Sequence, residues 1–353
     1  MTRYFIYISF FLFACFNISK AQPTDQIEIN FQKAYSEIND MLNNKQQPSF
    51  KRAVFVVENA YLDDSLDYNM FNALIDYYKS IAIAYKKANH LKDFNYPDST
   101  QQNLSASLFK IFTDSIFDTK HNLVSTPFKY DFEDVFGDDD FTKTFVIKLL
   151  LTKSGNCHSL PYLYKIINEE SGGTPAYLSF APHHIYIKQR NKKIGWYNVE
   201  LTSGQFPIDG YLMATGYISQ KNIIEGIYMD TLSYKQSIAT CLMDLAYAYM
   251  AKLNDKANNE FILKCANTAL SVRSNYVQAL LRKAEIHKDL FKEYQQQNNQ
   301  PLADLNYKEM ENTYKKLLDY GYSNVPLETF KKWFTTYQQN KSKYENTEIK
   351  TGF

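Results

Sequence analysis

With 353 residues and 45% hydrophobic content, the chain is long enough to bury a sizeable core and to form two or three domains. Its 39 Lys and Arg against 38 Asp and Glu give a formal charge of +1, which excludes both the basic surface of a nucleic-acid binder and an acidic tail. An aromatic content of 16% excludes a disordered chain.

Residues 1–21 read as a signal peptide. Arg3 supplies the positive charge, and "YFIYISFFLFACF" is an apolar stretch too short to span a bilayer. Ser19 and Ala21 are the small residues that a signal peptidase reads, which puts cleavage before Gln22. The rival is a lipoprotein box at "LFAC", with Cys15 lipidated, although Phe13 fits that box poorly. The expected location is therefore exported, periplasmic or extracellular, with an outer-membrane lipoprotein as the alternative. No later segment is apolar and long enough for a membrane span.

Residues 22–140 form a helical N-terminal region. "IEINFQKAYSEINDMLNN", "MFNALIDYYKSIAIAYKKANHL" and "SASLFKIFTDSIF" carry apolar residues at helical spacing, and Asp63, Asp64 or Ser65 is the expected cap of the second. Asp138 to Asp140 lack the alternating ligands and distal glutamate of a calcium loop, so a solvated turn with an Asp cap is expected. No metal site is expected.

The texture changes over residues 141–215. "FTKTFVIKLLLTK" reads as a buried helix ending near Ser154 and Gly155, and a second helix opens at Cys157. Alternating runs on either side of "RNKK" then signal a β-hairpin. The expected fold class is α+β, a helix laid on an antiparallel sheet. Residues 235–340 return to helices. Ala266, Ala269, Leu270, Ser274, Ala279 and Ala284 stand where helical repeats place small residues, and the region resembles tetratricopeptide (TPR-like) repeats, or else a plain helical bundle.

Removing the signal leaves Cys157, Cys241 and Cys265, an odd number in an exported chain. Cys241 and Cys265 read as core residues or as a pair. Cys157 follows the turn "SGN" at a helix start, where unpaired N–H groups and a partial positive charge favour a thiolate. Gly155 is expected to supply backbone freedom there. His183 and His184 on the next strand offer a base, and Glu200 beyond the hairpin offers a group to orient it. A turn centred on Lys192 sets His184 opposite Glu200. A two-residue Asn191-Lys192 loop slips the register by one and presents His183 instead. His158 points about 100° away from Cys157 around the helix and is expected at solvent or a rim.

"GNC" opening a helix, then "HIYIK", then "WYNVELTS", resembles the transglutaminase-like superfamily. The resemblance implies a papain-type site in which Cys157, His184 and Glu200 are catalytic, with Trp196 and Thr202 at flanking positions. It selects His184 over His183 and departs from the common pattern in placing Glu200 where most members have Asp. Asn156, beside the Cys157 N–H, is a candidate oxyanion donor. The expected function is cysteine-dependent amide or peptide hydrolysis, or acyl transfer through a thioester, without a cofactor. The expected partners are a protein or peptide substrate and a protein partner on the helical repeats, with no nucleic acid. The alternative is a catalytically retired scaffold whose repeats bind a protein or peptide.

Overall fold

The computed structural model describes residues 24–324 apart from 93, 119, 255 and 256, together with 339, 343, 345, 346 and 349. The expected signal peptide, Cys15 and most of the expected repeat region beyond 324 lie outside the described residues.

Four helices come first: α1 (Thr24–Leu42), α2 (Phe50–Tyr61), α3 (Tyr68–Ala88) and α4 (Ser99–Thr113). Helix α2 has no counterpart in the sequence reading. It starts because the Ser49 hydroxyl accepts the Arg52 N–H at 3.1 Å. Helix α3 is capped by Asp67, which accepts the Asn69 N–H at 2.7 Å, and not by Asp63, Asp64 or Ser65. Asp63 and Asp64 have φ of +60° and +58°, so they form the left-handed turn before that cap.

Two short strands, β1 (Ile116–Phe117) and β2 (Leu123–Ser125), pair with each other. β3 (Lys129–Tyr130) pairs in parallel with β4 (Ser154–Gly155), and between them lie a 3-10 turn over Phe141–Thr144 and α5 (Val146–Thr152). Asp140 caps that turn by accepting the Thr142 N–H at 3.0 Å, so the single helix expected from 141 is split in two. Helix α6 (Ser159–Ser171) leads into β5 (Tyr177–Ala181), β6 (His184–Asn191) and β7 (Gly195–Val199). Then come α7 (Asp209–Thr215), α8 (Gln220–Ile224), α9 (Tyr234–Leu253), α10 (Asn259–Val272), α11 (Val277–Gln296) and α12 (Gln300–Asp319).

The expectation of an α+β protein with a transglutaminase-like helix-on-antiparallel-sheet core is corrected. Among the described residues the molecule is mostly helical, with twelve α-helices and three small sheets of two, two and three strands. Helix α6 packs against α3, α4 and α5 as well as β5 and β6. Every residue from Ser159 to Asn168 is buried, which one sheet beneath an amphipathic helix does not require. The strand β5–β6–β7 meander is a three-stranded patch within a helical body.

The C-terminal helices pack in succession, α9 on α10, α10 on α11 and α11 on α12. Helix α9 also lies against α1 and α2, tying both ends of the described chain into one core. Phe31, Tyr249 and Phe261 meet there, with ring centroids 5.2 Å apart for Phe31–Tyr249 and 4.6 Å for Tyr249–Phe261. Cys241 and Cys265 are free, fully buried thiols, which favours the core reading over a pair. No helix among the described residues is long and apolar enough to cross a membrane.

Candidate functional site

Cys157 sits in the tight turn that starts α6. The Asn156 side-chain oxygen accepts the N–H groups of His158 at 3.0 Å and Ser159 at 3.2 Å. The Ser159 hydroxyl accepts the Asn156 N–H at 3.1 Å, giving the reciprocal pattern of a capping box. The Asn156 oxygen is thereby committed to the helix start; the oxyanion donor expected of this residue is its amide nitrogen, since the oxygen only accepts.

Gly155 is needed for space and not for dihedral freedom. A Cβ there would collide with the Ser159 hydroxyl and stand 2.9 Å from Leu149 Cδ1. Gly155→Ala is expected to cost about 1–3 kcal/mol, because the overpacked atoms belong to the turn that holds Cys157. Denaturant unfolding checks this, and an unchanged midpoint would rule the crowding out.

The hairpin register differs from both sequence expectations. Arg190 pairs with Trp196, Lys188 with Asn198 and Ile187 with Val199, so the loop runs over Lys192 to Ile194. The shift from the Lys192-centred register is two residues. A two-residue shift preserves parity, so His184 and Glu200 still share a face, as diagonal neighbours. His184 Nε2 meets Glu200 Oε2 at 2.5 Å, and both side chains are buried. Thr202 donates its N–H at 3.0 Å and its hydroxyl at 2.7 Å to Glu200 Oε1, which fixes the carboxylate.

Cys157 and His184 line the same cavity, and the thiol is one of the groups that act on the imidazole. Burial by itself would lower the His184 pKa; the Glu200 charge and the Cys157 thiol overcome it and raise it to about 10. Burial would raise Glu200, but His184 and the Thr202 donors hold it below its ordinary value. Cys157 Sγ stands 3.9 Å from the His183 carbonyl oxygen. His183 occupies the second position of the Pro182-His183 turn between β5 and β6, with φ +55° and an exposed side chain. Pro182 fixes a negative φ before it, so the positive φ must fall on His183, as in a type II turn. That geometry turns the His183 carbonyl toward the thiol and leaves His184 as the ring in the site.

Trp196 does not belong to the site. Its ring lies on Tyr177, with centroids 5.6 Å apart, and is 46% exposed on the far stretch of β7. Its partner Arg190 stacks over it, which removes the supporting role the motif gave it.

A cavity of about 490 Å³ opens beside Cys157 and His184. Three of its residues escaped the sequence reading. His158 is half-buried in this wall, where the turn at Asn156 sets it against Asp244 of α9. Its Nδ1 faces the Thr144 carbonyl at 2.9 Å and its Nε2 faces Asp244 Oδ1 at 3.0 Å. Both partners only accept, so the ring carries two protons and is a cation. Burial opposes that charge, and Asp244 with the Thr144 carbonyl raises the His158 pKa to about 8. Asp244 is held in turn by the Tyr162 hydroxyl at 2.8 Å. Glu58, from α2, accepts the N–H groups of Val146 at 2.6 Å and Ile147 at 2.9 Å, and burial raises its pKa to about 8. No short motif announces Glu58 or Asp244. The one available signal was the Ser49 cap before "FKRAVFVVENAY", which marks the helix that carries Glu58.

Tyr130 is also buried near the site, and burial with Cys157 and Glu200 nearby pushes its phenol up. No cluster of metal-ligating side chains is found among the described residues.

Fold and site together define a helical protein with a buried Cys–His–Glu constellation at the edge of a small sheet. No family model matches the chain, and no curated protein matches it either. It is similar to a crystal structure of menin that reveals that protein's binding site for the Mixed Lineage Leukemia (MLL) protein. The likeness has a TM-score of 0.36 and 12% identity, and it covers 89% of this chain and 74% of menin.

Proposed function

We propose that the protein is a cysteine-dependent enzyme acting on amide or peptide carbonyls, with chemistry of the transglutaminase-like type on a different body. The observation that carries the reading is the chain of contacts from Cys157 through His184 to Glu200 beside a cavity. Cys157 Sγ attacks the carbonyl carbon, a C–S bond forms, and the C–N bond breaks as His184 gives its proton to the departing amine. Water then attacks the thioester, releasing acid and restoring the thiol; a second amine in place of water gives transfer. Glu200 keeps the imidazole oriented throughout. The signal-like N-terminus supports action outside the cytoplasm on a protein or peptide. The C-terminal helices, which contribute Asp244 and Gln278 to the cavity wall, support a role in holding that partner.

Iodoacetamide labelling of Cys157, located by mass spectrometry, tests the reading. A thiol supported by an imidazolium is expected to react at neutral pH about tenfold or more faster than in His184→Ala. Equal rates would leave Cys157 an ordinary buried thiol.

A further inference from the structure

We propose that the cavity beside Cys157 is the pocket for the acyl side of the substrate, and that it takes a bulky uncharged side chain, aromatic or branched aliphatic, and rejects acidic ones. The inference rests on the reading of Cys157 as the nucleophile. Its walls are apolar and come from separate parts of the chain: Val54 and Val57 on α2, Phe141 and Phe145 around the 3-10 turn, and Tyr247 and Met250 on α9. Its volume of about 490 Å³ compares with the roughly 150 Å³ that holds a benzene ring, so an aromatic side chain fits together with its stem.

Charge selects against acids. Among the described residues no Lys or Arg lines the cavity, whereas Asp138 and Asp244 do. The His158 cation is already used: its two N–H groups go to Thr144 and Asp244. His184 is likewise committed to Glu200 and Cys157. A substrate carboxylate would approach Asp138 and Asp244 with only His183, Gln278 and the other donors of the lining to face it, and a buried charge without a full counter-charge is unfavourable. Glu58 keeps its proton up to about pH 8, so the deep wall adds no charge that an apolar group would have to displace at neutral pH.

The test uses N-acetyl chloromethyl ketones of phenylalanine, leucine, alanine and glutamate. Each rate of Cys157 modification is divided by the iodoacetamide rate of the same protein, which removes intrinsic thiol reactivity. The phenylalanine and leucine probes are expected to exceed the alanine probe by about tenfold or more, the factor set by burying one large apolar side chain. The glutamate probe should be slowest. Val54→Phe and Met250→Phe fill the cavity from α2 and α9, and either should collapse the phenylalanine-to-alanine ratio toward one. Equal phenylalanine and alanine rates in the wild type, or a fastest glutamate probe, would overturn the proposal. If iodoacetamide itself fails to label Cys157, the nucleophile reading falls separately. The pocket is then read by thermal shift with N-acetylphenylalaninamide against N-acetylglutamate α-amide: stabilisation by the first alone supports it, and none by either overturns it.

Discussion

Glu200→Ala is expected to lower the unfolding free energy by about 3–5 kcal/mol at neutral pH, because it strips the partner from a buried imidazolium. Both side chains of the pair are nearly inaccessible, with 2% and 5% exposure for His184 and Glu200, so water cannot replace the lost carboxylate. Denaturant unfolding measures the loss, and a change under 1 kcal/mol would mean that the pair is not ionised in the fold. The pH dependence gives a second handle. The His184 pKa rises from 6.5 to about 10 on folding, so its stabilising contribution is full below pH 6.5 and is lost as pH climbs through 10. Glu200 is lowered from 4.5, so its contribution is full above pH 4.5 and is lost as pH falls through the lower folded value. The pair therefore stabilises most between those limits. Glu200→Gln, which keeps an oxygen for Thr202, should flatten the decline on the alkaline side. The same variant should slow turnover about 100-fold or more if His184 acts in proton transfer.

The second large effect is expected from Asp244→Ala, at about 3 kcal/mol, since it leaves the His158 ring charged with only a carbonyl for company. It also removes one partner of the Tyr162 hydroxyl, which keeps Thr240 Oγ1 at 2.9 Å. His158 is raised from 6.5 to about 8 on folding, so its share of stability is complete below pH 6.5 and disappears as pH rises through 8. Glu58 acts in the same direction for another reason. Its carboxyl goes from 4.5 to about 8, the folded state alone holds the proton in that interval, and stability falls as pH rises across it. Unfolding of the wild type should therefore become easier between pH 6.5 and 8, and less steeply so in Asp244→Asn. An identical slope in that variant would mean that His158 does not titrate with Asp244. Asp244 sits on α9, so Cys157 labelling in the same variant reports whether the C-terminal helices support the site.

The sequence made some of this legible and hid the rest for definite reasons. Helices α1 and α3 show a 3.6-residue period long enough to stand without tertiary help. Helix α2 has a helical period as well, with Lys51, Arg52 and Asn59 outside its buried face, but it runs for only 12 residues against 19 and 21 and stands out less. Strand parity left His183 and His184 open and the resemblance chose His184; the observed register puts His184 and Glu200 on one face, at a shift of two residues to which period-two logic is blind. The motif that named Cys157, His184 and Glu200 also named Trp196, which the observed register leaves on the surface. It suggested a sheet core as well, where the chain wraps its Cys helix in other helices. His158 was misplaced because a helical wheel assumes the helix has already begun, and the turn at Asn156 has not yet settled into one. Glu58 and Asp244 reach the site only through packing of distant segments, which no local pattern encodes.

That packing bears on how the chain must be handled while it acquires its structure. The wall around Cys157 is closed by contacts between residues 88 apart, Glu58 with Val146, and 86 apart, His158 with Asp244. Ordering loops of that length precedes any reward from the contacts, so this corner completes late. Among the described residues three free thiols are buried in the finished molecule, and all three are uncovered before it. During that interval they can cross-link to one another in any oxidising surroundings, and a bridge from Cys157 to either helix thiol would lock out the native arrangement. The completed wall thus separates Cys157 from the chain's own cysteines, and refolding with reductant present until α9 has docked is expected to recover more folded protein than refolding without it.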